Sequence, residues 1–481
     1  MIVYKLPYIL FRKYPNFGYL TDNRNFGYDT ATKSSLKVGD MLLSSIGSVF
    51  YSTLSEDPRT IDEIVEQLCV FFSNTPASVI RKDCIAFFTK LHTEGFVYCG
   101  ETVDVPYLKS CYFSYDKVQP HENGYTKREA SQAIYEKTFG DTPRLTRVHL
   151  DISSRCNERC VHCYIPDYKK CSIMRVGVFD RILSQCREMN VLNITISGGE
   201  PMLNPHLGQF LLKCRDANFS VNLLSNLTLL TNELLDIIAA NPLVSVQTSL
   251  YAMDENVHDT ITQKHGSFRK TIRSLNKLHD RNIPLQINCP VMKHNLKSYK
   301  DVMTYAKSKN IEADFDCSLY GSYDLSKSNL SCRLNSNDIN DVISFELSSK
   351  ENHERVLRQA QDKKVGANDP ICQICKNSLC FSNNGDVYPC EGWQSLKLGN
   401  IMDQSLDEIW IKSAMTNKLR ELTYENFPRC NSCADKSYCN TCLILNANED
   451  ARGDYKNINT FQCEVAKIKH RQCLLRSGLK R

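Results

Sequence analysis

Short apolar, β-branched runs recur through the middle of the chain, at RVHLDIS (147–153), LNITIS (192–197), SVNLLS (220–225), SVQTSL (245–250), LQINCPVM (285–292) and ADFDCSL (313–319). Helix-length segments of mixed polarity separate them, and this alternation predicts six β/α units with parallel strands and right-handed crossovers. Upstream, two apolar, turn-rich segments within residues 3–29 predict a β-hairpin, and three helical stretches follow. In the second stretch Thr60 and Glu63 form a capping box ahead of one apolar face, Ile61, Ile64, Val65 and Leu68. In the third, Thr75-Pro76 reads as N-cap and first helical position, followed by a stripe of Ile80, Cys84, Phe87, Phe88 and Leu91. GFVYCG (95–100) predicts a returning strand, which completes a winged helix-turn-helix pattern. The expected organisation is a winged element (1–100), a linker (101–143) with some helix at TKREASQAIYEKTFG (126–140), an α/β unit (144–325), a bridging region (326–370) and a cysteine-rich unit (371–481).

Length and charge narrow the functional classes. A chain of 481 residues is long for a single domain. With 59 basic and 54 acidic residues the net charge is +5, and residues 1–100 carry ten of each sign. A DNA-binding winged helix needs a basic face, so that use of the pattern is disfavoured and no nucleic-acid partner is expected. The first residues, MIVYKLPYILFRKYP, lack a signal-peptide pattern, and no apolar run is long enough to span a bilayer. The expectation is a soluble, cytoplasmic protein without a membrane partner. In that compartment 23 cysteines argue for metal or redox use rather than disulfides.

The cysteines fall into patterns. Cys156, Cys160 and Cys163 stand as C-x3-C-x2-C directly after the first strand run. Three thiolates on one loop hold three irons of a [4Fe-4S] cube and leave the fourth open, whereas the plain alternative is cysteine as a small buried hydrophobe. The second strand run ends in Gly198-Gly199-Glu200-Pro201, where glycine allows a sharp turn and lets a ligand approach the backbone closely. Ser225, Asn226 and Ser249 stand at the ends of the third and fourth runs, the end at which parallel barrels collect their chemistry. His258 and Asp259 invite reading as an acid-base pair, but aspartate's preference for helix termini favours a brace for the next helix. In the last quarter come Cys375, Cys380 and Cys390, then Cys430-x2-Cys433-x5-Cys439-x2-Cys442, then Cys463. Paired C-x2-C groups fit zinc, which takes four thiolates, while eight are arranged here.

The cysteine triplet, Tyr164 after it and the GGEP turn resemble the radical SAM enzymes. That resemblance implies a partial (β/α)6 barrel and a [4Fe-4S] cluster on Cys156, Cys160 and Cys163, whose open iron chelates S-adenosylmethionine (SAM) and cleaves it to a 5'-deoxyadenosyl radical. It also implies cofactor contacts from Gly198, Gly199, Glu200, Pro201, Ser225, Asn226 and Ser249. The last quarter, with GDVYPC, LGNI and LDEIW between its cysteines, resembles the SPASM domain, which holds two auxiliary [4Fe-4S] clusters. The resemblance gives Cys375, Cys380, Cys390 and Cys442 to one and Cys430, Cys433, Cys439 and Cys463 to the other. The spacing Cys439-x2-Cys442 is one residue shorter than the family's, and Cys372, which forms C-x2-C with Cys375, stands as an alternative ligand. An unfilled position would leave an iron open to a substrate thiolate. Glu391 falls where sulfatase-maturing relatives carry a proton acceptor; a structural glutamate is the plainer reading. The first hundred residues resemble the recognition elements of enzymes that mature ribosomally made peptides, which hold a leader peptide as an added strand. The whole then resembles a peptide maturase that acts on a precursor peptide's leader and core, fed by a donor such as flavodoxin or ferredoxin. Thioether formation is the leading expectation, a carbon-carbon crosslink the runner-up, and a zinc-stabilised regulatory protein the reading from another class.

Overall fold

The computed structural model describes residues 1–22, 38–55, 57–102, 138–140, 142–363 and 365–477. Most of the expected linker helix and the end of the expected hairpin lie outside these residues. The strands are β1 (Ile2–Lys5), β2 (Ile9–Lys13), β3 (Phe17–Asp22), β4 (Asp40–Ser44), β5 (Arg59–Thr60), β6 (Val97–Gly100), β7 (Arg147–Ser153), β8 (Asn193–Gly198), β9 (Ser220–Leu224), β10 (Val244–Ser249), β11 (Leu285–Pro290), β12 (Glu312–Asp316), β13 (Ser378–Phe381), β14 (Asp386–Tyr388) and β15 (Gly399–Asn400).

Strands β7 to β12 are parallel and lie side by side in chain order, with helices in the crossovers. They are the six expected runs. Val148, Leu150, Ile152, Ile194, Ile196, Val221 and Leu223 are buried against helices 176–188 and 207–216, where Phe179 and Phe210 stack at 3.9 Å. The sheet does not close into a barrel. On the outer side of β7 it continues into the cysteine-rich unit, because β13 pairs in parallel with β7 and leads into the antiparallel β14 and β15.

The N-terminal part contains two small sheets, β5-β1-β6 and β2-β3-β4, and the three expected helices at 45–52, 61–71 and 77–93. The Thr60–Glu63 capping box forms, with Glu63 N donating to Thr60 Oγ1 (3.3 Å) and Thr60 N to Glu63 Oε2 (2.7 Å). The third helix begins one residue later than expected: Pro76 is its N-cap and no side chain caps it.

This N-terminal part docks on the barrel through Arg12, which is 7 % exposed. Its guanidinium donates to the carbonyls of Val191 (3.2 Å) and Asn218 (3.3 Å) and lies 5.1 Å from the Phe219 ring centre. Asn218 Nδ2 donates back to Ile9 O (3.2 Å), and Leu10, Tyr14 and Tyr19 cluster with Leu192. Residues 191, 192, 218 and 219 precede β8 and β9, so the contact is at the N-terminal ends of the strands. No helix among the described residues is long and apolar enough to cross a membrane.

Candidate active site

The cysteine loop is fixed where β7 ends. Gly199 N donates to Ser153 O (2.6 Å) and Glu200 N to Arg155 O (2.8 Å), so the GGEP turn is stitched to the start of the loop. Gly198 has φ +125°, and a Cβ on it would collide with the Ser153 carbonyl; one on Gly199 would collide with that of Arg155. The other side of the loop is held by Arg159 N to Thr262 O (3.0 Å) and Val161 N to Ile261 O (2.9 Å). Asn157 Oδ1 accepts from Asn226 Nδ2 (3.0 Å), which ties the loop to the end of β9.

A cavity of about 320 Å³ opens at the C-terminal ends of the strands. Cys156, Cys160 and Cys163 line it together with Gly198, Gly199, Ser225, Asn226 and Ser249. Glu200 and Pro201 stand behind this wall. Glu200 is buried, and its carboxylate accepts from Met202 N (2.9 Å), Ser225 Oγ (2.7 Å) and Asn226 N (2.8 Å), clamping the ends of β8 and β9 together. Burial pushes its pKa up to about 7 against those three bonds. Asp259 does brace the following helix, accepting from Ser267 Oγ (2.8 Å) and Phe268 N (2.9 Å), while buried His258 lines the cavity.

Three buried polar atoms that face this cavity have no hydrogen-bond partner among the described residues: Glu158 Oε1, His162 Nδ1 and Thr248 Oγ1. Burial pushes the Cys156 thiol up to about 12 and that of Cys160 well above its ordinary value, with Cys163 close to both. Unpaired buried acceptors and three neighbouring thiols at one cavity suit a metal-centred group that replaces thiol protons and meets the remaining polar atoms. Among the described residues no three His, Cys, Asp or Glu side chains gather as a single metal ion would need, whereas a four-iron cube takes one thiolate per iron across a wider space.

The C-terminal cysteines form two groups. Cys430, Cys433, Cys439 and Cys463 are neighbours of one another. In the other group Cys390, Cys442 and Cys372 are mutual neighbours, and Cys375 adjoins Cys372. Burial raises the Cys372 thiol, and main-chain amides of Ile374, Leu443 and Gln373 oppose that rise. Cys380 is fully buried on β13, and its charged neighbours are Asp151 and Glu391, the carboxylate that also adjoins Cys390. Glu391 is exposed at the turn after β14 and accepts from the Cys390 thiol at 3.3 Å.

Sequence reasoning missed several residues here. Tyr251 reaches Cys160 Sγ (3.9 Å) and His162 Nε2 (3.5 Å), and its only signal was a place two residues beyond Ser249. Asp151, on β7, accepts from Gln394 (3.1 Å) and lies 3.1 Å from His149 Nε2, linking the barrel interior to the C-terminal unit with no sequence motif to announce it.

Residues 150–306 match the radical SAM superfamily, residues 372–435 the iron-sulfur cluster-binding SPASM domain, and residues 34–97 the coenzyme PQQ synthesis protein D (PqqD) family. Over 340 residues the chain is 25 % identical to an AdoMet-dependent heme synthase of Methanosarcina barkeri, covering 63 % of this chain and 91 % of that one. It is 23 % identical over 347 residues to the antilisterial bacteriocin subtilosin biosynthesis protein AlbA of Bacillus subtilis, covering 69 % and 74 %. Streptococcus suis SuiB, solved bound to precursor peptide SuiA, shares the fold with a TM-score of 0.58 at 14 % identity, covering 94 % of this chain and 98 % of that one.

Proposed function

Because this chain is a radical SAM protein with a SPASM domain and a PqqD-type N-terminal element, we propose that it matures a ribosomally made precursor peptide by forming thioethers between cysteine sulfur and a peptide carbon. The observation that carries this reading is one chain with three thiol groups, one on the cavity and two beyond it, behind an element with an open strand edge. AlbA, from a bacteriocin pathway, and SuiB, seen with a precursor peptide, are similar over most of this chain.

Cys156, Cys160 and Cys163 would hold a [4Fe-4S] cluster, which would supply the electron for cleavage of bound SAM to a 5'-deoxyadenosyl radical. The protein's share is to hold and enclose. Ser225, Asn226 and Ser249 offer polar groups to the cofactor, with Glu200 locking the first two in place. For the auxiliary clusters we assign Cys430, Cys433, Cys439 and Cys463 to one and Cys372, Cys375, Cys390 and Cys442 to the other, leaving Cys380 as a core residue of β13. Each thioether removes from the peptide one hydrogen atom, which the radical takes, one proton, for which exposed Glu391 is the acceptor, and one electron, which the groups held by the C-terminal cysteines would carry away.

Leader binding falls to β4, which has β3 on one side and no strand on the other among the described residues. Leu42 (49 % exposed) and Ile46 (59 %) flank that edge and suit an apolar leader side chain laid down as a further strand. The test is incubation of the anaerobically reconstituted full chain with SAM, a reductant and each short cysteine-bearing peptide encoded by the reading frames that neighbour its gene; the absence of any such peptide also counts against the thioether reading. The expected product lacks two hydrogens per crosslink and resists thiol alkylation; an unchanged peptide, or a crosslinked one whose thiols still alkylate, overturns the thioether reading.

A further inference from the structure

Residues 320–323 form a strap that joins the cysteine loop to the C-terminal unit. On one side Tyr323 N (3.0 Å) and Ser322 Oγ (3.1 Å) both donate to Tyr164 O, next to Cys163. Asn329 Nδ2 bridges Tyr320 O (2.8 Å) and His162 O (3.1 Å). On the other side Asn448, fully buried, donates through one Nδ2 to Gly321 O (2.9 Å) and to Gly392 O (2.8 Å), the residue after Glu391. A Cβ at Gly321 would stand 3.0 Å from Asn448 O, so the strap lies flat against the C-terminal unit.

Tyr320 is the side chain this strap turns toward the cavity. It lines the cavity wall and is half-buried, and its ring meets that of Tyr164 edge-on at 6.3 Å. The charged neighbours of its hydroxyl include Cys442, Glu391, Cys390 and Asp316, so this one phenol borders both the radical-forming cavity and the group of Cys390 and Cys442. No described residue hydrogen-bonds its hydroxyl.

We propose that Tyr320 positions the substrate peptide: its hydroxyl donates a hydrogen bond to a backbone carbonyl beside the target carbon and holds that carbon between the Cys156–Cys163 loop and the Cys390–Glu391 turn. This rests on the peptide-modifying reading above. A peptide carbonyl is the matching partner, since the phenol offers a donor, the ring offers an apolar wall, and every peptide presents the acceptor whatever its side chains.

The experiment compares the reconstituted full chain with Tyr320→Phe and Tyr320→Ala, using SAM and the same cysteine-bearing peptide. In Tyr320→Phe, which keeps the ring, the KM for peptide rises about three- to tenfold, the loss of one neutral hydrogen bond. SAM affinity and 5'-deoxyadenosine formation without peptide stay at the parent level. In Tyr320→Ala fewer crosslinks form per 5'-deoxyadenosine released. A Tyr320→Phe enzyme with parent KM and coupling overturns the proposal, as does a loss of SAM affinity equal to the loss for peptide. Failure of the parent enzyme itself to modify the peptide overturns the functional reading first and removes this role with it.

Discussion

Gly198 and Gly199 were legible as a motif, but the physical reason for them differs from the expected one. They admit the backbone of the cysteine loop rather than only a ligand, since a methyl group on either strikes the carbonyl of Ser153 or Arg155. Gly199→Ala is therefore expected to lose SAM binding and to cost at least about 2 kcal/mol of stability, checked by thermal unfolding alongside equilibrium SAM titration. The cysteine ligands show where sequence spacing stops informing. Cys372 and Cys380 both sit at plausible intervals from Cys375 and Cys390; in the fold Cys372 neighbours Cys390 and Cys442, Cys380 lies in β13 near Asp151 and Glu391, and the proposed assignment takes Cys372 as the ligand. Cys372→Ala should lose about four of roughly twelve irons and Cys380→Ala should keep them, as measured by iron analysis of anaerobically purified protein.

The six parallel strands could be read directly because each is a short run rich in apolar and β-branched residues set off by helix-length segments, even β12 (EADFD), none of whose residues is fully buried. β13 could not: SLCF is four residues long and pairs with a strand more than two hundred residues earlier, a partnership no local pattern encodes. The N-terminal element lies between these cases, its capping box legible and the edge of β4 visible only in the fold, where among the described residues β4 pairs with β3 alone. If the leader adds to that edge, Leu42→Asp, an exposed change, should weaken precursor binding about tenfold or more while leaving the unfolding temperature unchanged. Fluorescence anisotropy with a labelled leader peptide checks this; equal affinity would move the leader site elsewhere.

Across the whole molecule the N-terminal part and the cavity are at opposite ends of the strands, the first anchored by Arg12 beside the starts of β8 and β9, the second at their C-terminal ends. A lone arginine in a predicted hairpin gave no hint of this contact. Arg12→Ala strands two carbonyls and removes a cation–π contact, and should cost about 3 kcal/mol. Peptide-free SAM cleavage should survive this change, so unfolding curves and 5'-deoxyadenosine assays separate the two ends. A strand of six residues rises about 20 Å, so recognition sequence and modified residue must be at least about six extended residues apart. The central claim, that the radical takes hydrogen from the peptide, is tested most directly by supplying a core peptide deuterated at its carbon-bound positions. Deuterium recovered in 5'-deoxyadenosine alongside the crosslinked peptide is the predicted result; 5'-deoxyadenosine without deuterium, formed while the peptide keeps all of its label, would contradict it.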